Sequence, residues 1–390
     1  MLLENAIVCT EEFTKKPWTV ETNAEKISFT GLRESSTKPT PSIDLTGYTL
    51  LPGFIDMHIH GCKGADTCDA SISALETMSR FLGEQGVTSF CPTTMTIPML
   101  ELEHVLKICD TFRRTNAPGA RMLGVHLEGP FLSPEKSGVQ RKDCLRVPDI
   151  SYIHHLEATF PNLICIIDVA PELPGAMSFI SEASKHYLVS ASHTIADYDT
   201  SKTAIEHGLS HATHLFNAMS ILHHHDPGVP GAILDSKKAT AEVICDGVHI
   251  HSAVLRLIFH TLGMQRTVII SDAMRAAGMP DGDYTLGGQP IIVKNRVTSF
   301  ADGRLAGSTT NIREEIITLL EAGIPWNQVI ASATINPARC LGMDNEIGSI
   351  QKGKYADMVA LDDKFSVKMV MSHGRIIYSA LPEGRMRNLS

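Results

Sequence analysis

Between about residues 50 and 330, eight short β-rich runs alternate with helical patterns, and no other property of this chain narrows its fold so far. The runs lie at 50–58, 87–92, 122–127, 163–169, 187–191, 211–215, 242–245 and 267–271. Amphipathic stretches at 73–85, 100–114, 150–158, 200–207 and 253–262 separate several of them. Such alternation predicts a parallel α/β sheet, because each parallel strand is reached only through a right-handed crossover, which a helix supplies. Eight units are the number that closes into a (β/α)8 barrel of the TIM type. The rival, an open doubly wound sheet, carries a glycine-rich phosphate turn after its first strand, and here that place holds His58-Ile59-His60-Gly61.

The ends of the chain differ in character. Strand-like pieces at 6–9, 18–20 and 26–29 are matched in style by 356–361 and 367–378. They predict a small β-sandwich domain built from both termini, residues 1–49 plus 345–390, beside a metal-dependent barrel domain spanning 50–344. Turn pairs Gly287-Gly288 and Asp302-Gly303 mark 284–305 as a β-hairpin excursion after the eighth strand. The net charge of -9 is spread along the chain without a basic tail, which argues against nucleic acid or an anionic membrane surface as a partner. Met1-Leu2-Leu3-Glu4-Asn5 lacks a basic lead into an apolar core, and no apolar run has the length of a membrane span, so a cytoplasmic protein is expected. Nine scattered cysteines without a Cys-x-x-Cys pair read as reduced thiols rather than disulfides or a structural zinc site.

Candidate chemistry gathers at the strand ends. A strand sends residues i and i+2 to the same side, so His58 and His60 can present both imidazoles to one centre. That spacing alone serves a metal ion or merely two hydrogen-bonded histidines. In a barrel, however, the C-terminal strand ends face one common site. Read in order, they offer His58 and His60, then Glu128, His193, His214, His249 and Asp272, from six of the eight runs. Imidazoles and carboxylates are the donors a hydrolytic divalent metal prefers. One acid at one strand end is commonly a helix cap, but an ionisable group at end after end is hard to explain structurally. Histidines within helical stretches, such as His104, His154, His155, His186 and His207, read as solvated or satisfied in the core.

These segments also resemble a known family. Leu51-Pro52-Gly53-Phe54-Ile55-Asp56 with His58-Ile59-His60-Gly61 is similar to the first-strand signature of the amidohydrolase superfamily. Within it, Leu127-Glu128-Gly129-Pro130-Phe131-Leu132, Thr213-His214-Leu215-Phe216-Asn217-Ala218-Met219, Asp246-Gly247-Val248-His249, Ser271-Asp272-Ala273-Met274 and Ala333-Thr334-Ile335-Asn336-Pro337-Ala338 resemble the N-acetylglucosamine-6-phosphate deacetylases. The resemblance covers about residues 51–360. It implies a metal-dependent hydrolase that converts N-acetylglucosamine 6-phosphate to glucosamine 6-phosphate and acetate, in amino-sugar catabolism or cell-wall recycling.

The resemblance further implies that Glu128, His193 and His214 hold the principal ion, and His58 and His60 a second that only some members carry. One or two divalent ions per subunit are therefore expected, zinc or iron first, with manganese and cobalt also compatible with these donors. Asp272 is implied as the general acid/base: it takes the proton of an activated water that attacks the acetamide carbonyl, then returns it to the departing amine. Val139, Asn217, Ala218, His249 and Leu305-Ala306-Gly307 are implied substrate contacts. Gln140 stands where some relatives have histidine; its amide donates but carries no charge, so it is expected to orient and polarise the carbonyl.

One departure concerns the phosphate. Many relatives carry arginine where His225 stands in Leu222-His223-His224-His225-Asp226-Pro227-Gly228, and that arginine reaches the phosphate across a dimer interface. The family thus implies a homodimer with His225 at the neighbouring site. Histidine is only partly protonated near neutral pH, whereas arginine is always charged, so phosphate recognition is expected to become more pH-dependent. The bland reading of the three histidines is a solvated loop. Rival substrates are N-acetylgalactosamine 6-phosphate and an unphosphorylated N-acetyl sugar. A cyclic amidase bridging two metals through lysine is disfavoured because the fourth run ends in Val169-Ala170-Pro171-Glu172. A non-catalytic sugar-phosphate sensor would have lost a metal ligand or Asp272, and both remain.

Overall fold

The computed structural model describes residues 1–32 and 41–387; residues 33–40 and 388–390, parts of the terminal segments assigned above to the β-domain, lie outside them. Eight parallel strands form the centre: β1 (Phe54–Ile59), β2 (Val87–Thr94), β3 (Val125–Leu127), β4 (Ile164–Val169), β5 (Leu188–Ala191), β6 (His211–Ala212), β7 (Thr240–Val243) and β8 (Thr267–Ile269). They pair in sequence order from β1 to β8. The ring closes where Asp272 donates its backbone N–H to His58 O at 3.0 Å, beside a parallel bridge from Ile59 to Ala273. Eight helices alternate with them: α1 (Ile72–Glu84), α2 (Met99–Arg113), α3 (Ile150–Thr159), α4 (Ala176–Ala183), α5 (Tyr198–Glu206), α6 (Gly228–Asp235), α7 (Ser252–Arg266) and α8 (Ile312–Glu321). The chain is a (β/α)8 barrel of the TIM type, as the alternation predicts.

Why these residues form these elements is visible in the burial. Every residue of β1 and of β2 is buried, because helices cover the outer face while the barrel closes over the inner one. The helices are one-sided. In α1, Ser71 caps the first turn by accepting from Ala74 N–H, and Leu75, Met78 and Leu82 form the buried face at helical spacing. Met57, Cys91, Ile166, Ile244, Val268 and Ile270 fill the barrel interior, so the fold has a packed plug rather than a pore.

The structure departs from the predicted runs where a strand must change sheets or turn. Run 50–58 is divided at Gly53. Thr49–Pro52 pairs with Met358–Leu361 and with Leu2–Cys9 in a nine-stranded mixed sheet of the termini, and only Phe54–Ile59 enters the barrel. A Cβ at Gly53 would lie 2.2 Å from Thr88 Oγ1, so this joint tolerates only glycine. Run 122–127 is broken into Arg121–Met122 and Val125–Leu127, both paired to β2. After β8 the excursion forms as a three-stranded antiparallel sheet, Gly282–Leu286, Gln289–Lys294 and Val297–Ser299, with Gly287-Gly288 as its first turn. Among the described residues no helix is long and apolar enough to cross a membrane.

Candidate active site

The polar residues of the sequence meet at one mouth of the barrel because each follows a strand. Glu128 comes directly after β3, His193 two residues after β5, His214 two after β6 and Asp272 three after β8; His58 lies in β1 and His60 just beyond it. His193, His214 and Asp272 have φ of +43°, +33° and +45°. Non-glycine residues rarely adopt this left-handed conformation, and it recurs where side chains are held for function. Glu128 Oε1 lies 3.0 Å from both His193 Nε2 and His214 Nε2. Its Oε2 is 3.2 Å from His60 Nε2, and Asp272 Oδ1 is 3.3 Å from His60 Nε2 and 3.6 Å from His58 Nε2. All six residues are buried.

The rings are oriented from behind. His193 Nδ1 donates to the carbonyl of Lys136 at 2.7 Å, and His60 Nδ1 to that of Thr93 at 3.3 Å. His58 Nδ1 is 2.8 Å from Glu242 Oε2. A carbonyl or carboxylate partner keeps a proton on Nδ1 and turns Nε2 inward, where it donates to a carboxylate or, once its own proton is displaced, offers a lone pair to a metal ion. His214 Nδ1 is buried without a partner among the described residues. Glu128, His193 and His214 form one group able to hold a metal ion, and His58, His60 and Asp272 another; His58, His126 and Glu242 form a third below them. The donor set therefore fits a divalent ion: inward lone pairs, carboxylates and no paired thiols.

Electrostatics point the same way. Burial alone would raise Glu128, but hydrogen bonds from His193, His214 and His60 hold it well below the usual carboxylate range. Burial would lower His60 and His214; instead Asp272 and Glu128 draw His60 well above its ordinary value, and Glu128 draws His214 to about 9. Asp272 is pushed up by burial yet held below its ordinary value by His58 and His60. The carboxylates thus favour positive charge at these histidines, the charge a dication would otherwise supply.

Above this floor opens a cavity of about 330 Å³. Of the residues singled out in the sequence, His60, Glu128, Val139, His193, His214, Asn217, Ala218, His249, Asp272, Leu305, Ala306 and Gly307 line it. His249 is held by Asp246, whose Oδ2 lies 2.8 Å from His249 Nδ1. Three others stand elsewhere. His58 lies beneath the cavity lining. Gln140, expected to face the substrate, donates through Nε2 to Glu128 Oε2 at 2.6 Å and accepts from Thr96 N–H, so its amide orients the carboxylate from behind. His225 lies on an exposed loop, its ring 4.2 Å from that of His224, outside the cavity lining.

Some residues of the site were not singled out in the sequence. Glu242, buried inside the barrel, was an ionisable group at the start of run 242–245, and its position in an otherwise apolar run was the available signal. Leu286 and Arg304 reach the cavity from the excursion, where no periodicity marks which side chain turns inward.

Comparison with known proteins agrees with this arrangement. The pattern of the amidohydrolase family matches residues 49–377. The chain is 35% identical over 384 residues to the N-acetylglucosamine-6-phosphate deacetylase of Bacillus subtilis (strain 168), covering 97% of this chain and 97% of that one. It is also 35% identical over 329 residues to the N-acetylgalactosamine-6-phosphate deacetylase of Escherichia coli O157:H7, covering 84% and 87%. The crystal structure of N-acetylglucosamine-6-phosphate deacetylase from Pasteurella multocida superposes with a TM-score of 0.90 at 30% identity, covering 96% of this chain and 98% of that one.

Proposed function

This chain belongs to the amidohydrolase family, and from that premise we propose that it hydrolyses N-acetylglucosamine 6-phosphate to glucosamine 6-phosphate and acetate. The observation that carries the reading is the convergence of His193 Nε2 and His214 Nε2 on Glu128 Oε1 at the floor of a sugar-sized cavity, with Asp272 beside them. Glu128, His193 and His214 would hold a divalent ion, with His58 and His60 available to a second. When bound, the ion supplies Lewis-acid polarisation of the acetamide carbonyl and of a water molecule.

The remaining work falls to the chain's own residues. Asp272 accepts the proton of the attacking water and delivers it to the amide nitrogen as the C–N bond breaks, so acetate and a free amine leave with one water consumed. Held below its ordinary value, it is ionised near neutral pH and so starts with a lone pair free for the proton. Gln140 holds Glu128 in register. Asn217 and the backbone of Ala218 offer neutral hydrogen bonds to the sugar, and Asp246 fixes His249 to offer another. Leu305, Ala306 and Gly307 line the same cavity. A cytoplasmic homodimer in which His225 reaches the neighbouring cavity completes the proposal. Beside it Ile221, 82% exposed, and Leu222 offer apolar surface that such a contact would cover.

The galacto epimer is the second reading, supported by the equal identity to the galactosamine relative. The deciding experiment measures acetate release from both epimeric 6-phosphates and from unphosphorylated N-acetylglucosamine, with and without chelator. We expect turnover of the gluco 6-phosphate that chelator removes and added metal restores. Asp272→Asn should lower kcat by roughly 10²- to 10⁴-fold. Faster turnover of the galacto substrate would exchange the two readings, and full activity in Asp272→Asn would remove the acid/base assignment.

A further inference from the structure

We propose that Arg304 is the cation that holds the substrate's phosphate, and that it sets a preference for phosphorylated over neutral N-acetyl sugars. The inference rests on the reading above, which requires a dianion to be bound in a cavity whose floor is already rich in carboxylates. Arg304 is the one arginine or lysine among the described residues lining that cavity. His225 lies outside its own chain's cavity lining and would act, if at all, at a neighbouring one, so the cation this chain itself brings to the cavity is Arg304.

Arg304 is also pre-oriented. It closes a turn in which Phe300 donates its N–H to Arg304 O at 2.9 Å and Gly303 to Phe300 O at 3.0 Å. Its guanidinium sits over the Phe300 ring at 4.8 Å, and its Nε donates to Asp302 Oδ2 at 2.8 Å. The two Nη groups make no hydrogen bond within the described residues, and the side chain is 64% exposed. An arginine steadied through Nε and one ring face, with its Nη fork free, is arranged to receive two oxygens of a phosphate. The next three residues, Leu305 to Gly307, line the same cavity. The excursion that carries them is tied to the facing loop where Gln289 Nε2 donates to Val139 O at 2.8 Å. Arg304 and Gly138 also border an adjoining cavity of about 400 Å³ on which Arg141 and Lys142 stand. The space past Arg304 is thus open to a substituent projecting from the sugar; Glu135 and Asp143 share that second lining and Asp143 pairs with Arg141, so Arg304 is the cation placed at the junction of the two.

The bland alternative is an arginine that only completes its turn through Asp302. Such a role predicts an equal loss on every substrate, whereas phosphate binding predicts a split. For Arg304→Gln we expect KM for the 6-phosphate to rise roughly 10- to 100-fold with a much smaller change in kcat, and a far smaller loss on the unphosphorylated sugar. Arg304→Lys should recover part of the affinity. Asp302→Asn, whose amide oxygen still accepts from Nε and so keeps Arg304 oriented, should leave KM for the phosphate substrate within about twofold. Calorimetric titration with glucosamine 6-phosphate reads the same contact without turnover, and Arg304→Gln should weaken it by the same factor. If the wild-type protein releases acetate from no 6-phosphate sugar, the substrate reading fails. If it does, and Arg304→Gln leaves both KM and product affinity within about twofold or lowers all substrates alike, the assignment of Arg304 alone is overturned.

Discussion

Glu242 faces neither solvent nor the cavity, yet it touches two of the residues at the barrel mouth. Its Oε2 lies 2.8 Å from His58 Nδ1 and accepts the backbone N–H of His214 at 3.4 Å, while Oε1 lies 3.4 Å from His211 Nε2. Burial would raise its pKa, but His58, His211 and His126 hold it below the usual range, so it is an ionised acceptor. An ionised acceptor keeps the His58 proton on Nδ1 and the Nε2 lone pair toward the mouth. Removing it frees the ring to take the other tautomer and to turn. We expect Glu242→Ala to lower metal affinity by roughly 10- to 100-fold, the usual cost of losing a partner behind a metal-binding histidine. Glu242→Gln, whose carbonyl oxygen still accepts from Nδ1, should lose less. Metal per chain by elemental analysis after dialysis, followed by metal titration, measures both. Wild-type affinity in the alanine variant would show that His58 needs no such support.

Helix α8 shows a conflict between an element's pattern and one of its residues. Asn311 caps it by accepting from Glu314 N–H, and Ile312, Ile316 and Leu319 make its buried face. Glu315 falls on that face, fully buried, with no side-chain partner for either carboxylate oxygen among the described residues, and the Cys245 backbone offsets its burial only in part. Burial, reinforced by Asp246, pushes its pKa well above the ordinary 4.5. The unfolded chain therefore ionises at lower pH than the folded one. The ionisation cost is absent below 4.5, and stability declines as pH rises from there toward the folded value. Glu315→Gln keeps the shape and removes the titration. Its Tm should equal that of the wild type near pH 4 and exceed it by roughly 1–2 °C toward pH 8, the shift about 1 kcal/mol produces in a chain of this length. A Tm difference that does not change with pH would refute the ionisation cost. Elements without such conflicts were legible in the sequence: the buried strands, α1 and α7 declare one environment along their length. Run 50–58 was not, because its apolar residues suit two sheets equally and only the close contact of Gly53 with Thr88 forces the division. Helix α6 was hidden as well, since Gly228, Pro230 and Gly231 argue against a helix that packing nonetheless imposes. At the site, strand-end position revealed the groups that point into the mouth, but not Glu242 or Gln140, whose partners are set by tertiary contact alone.

For the molecule as a whole, the fold gathers charges that the sequence keeps far apart: Glu128 and His214 are 86 positions apart, His58 and Glu242 184. Packing of the barrel forces these groups together, so whatever neutralises them is coupled to folding. In the metal-free protein that neutraliser is the proton. His214 is raised from 6.5 to about 9 and His60 is also raised well above its ordinary value, against the penalty of burial. A histidine raised in this way adds stability that is fully present below its unfolded value and is lost as pH rises through its folded one. The stripped protein should therefore weaken between about pH 6.5 and 9. A divalent ion takes the place of those protons, so its affinity rises over the same interval. Bound ion stabilises by about 2.7 kcal/mol when its free concentration is 100 times Kd, and by more as Kd falls. The Tm gap between metal-loaded and chelator-treated protein is accordingly expected to widen steadily from pH 6.5 to 9. Glu128→Gln, which removes the anion shared by His193, His214 and His60, should abolish most of it. A gap that stays constant over that interval, or one that survives in Glu128→Gln, would mean that the ion stabilising the fold is held somewhere other than this mouth.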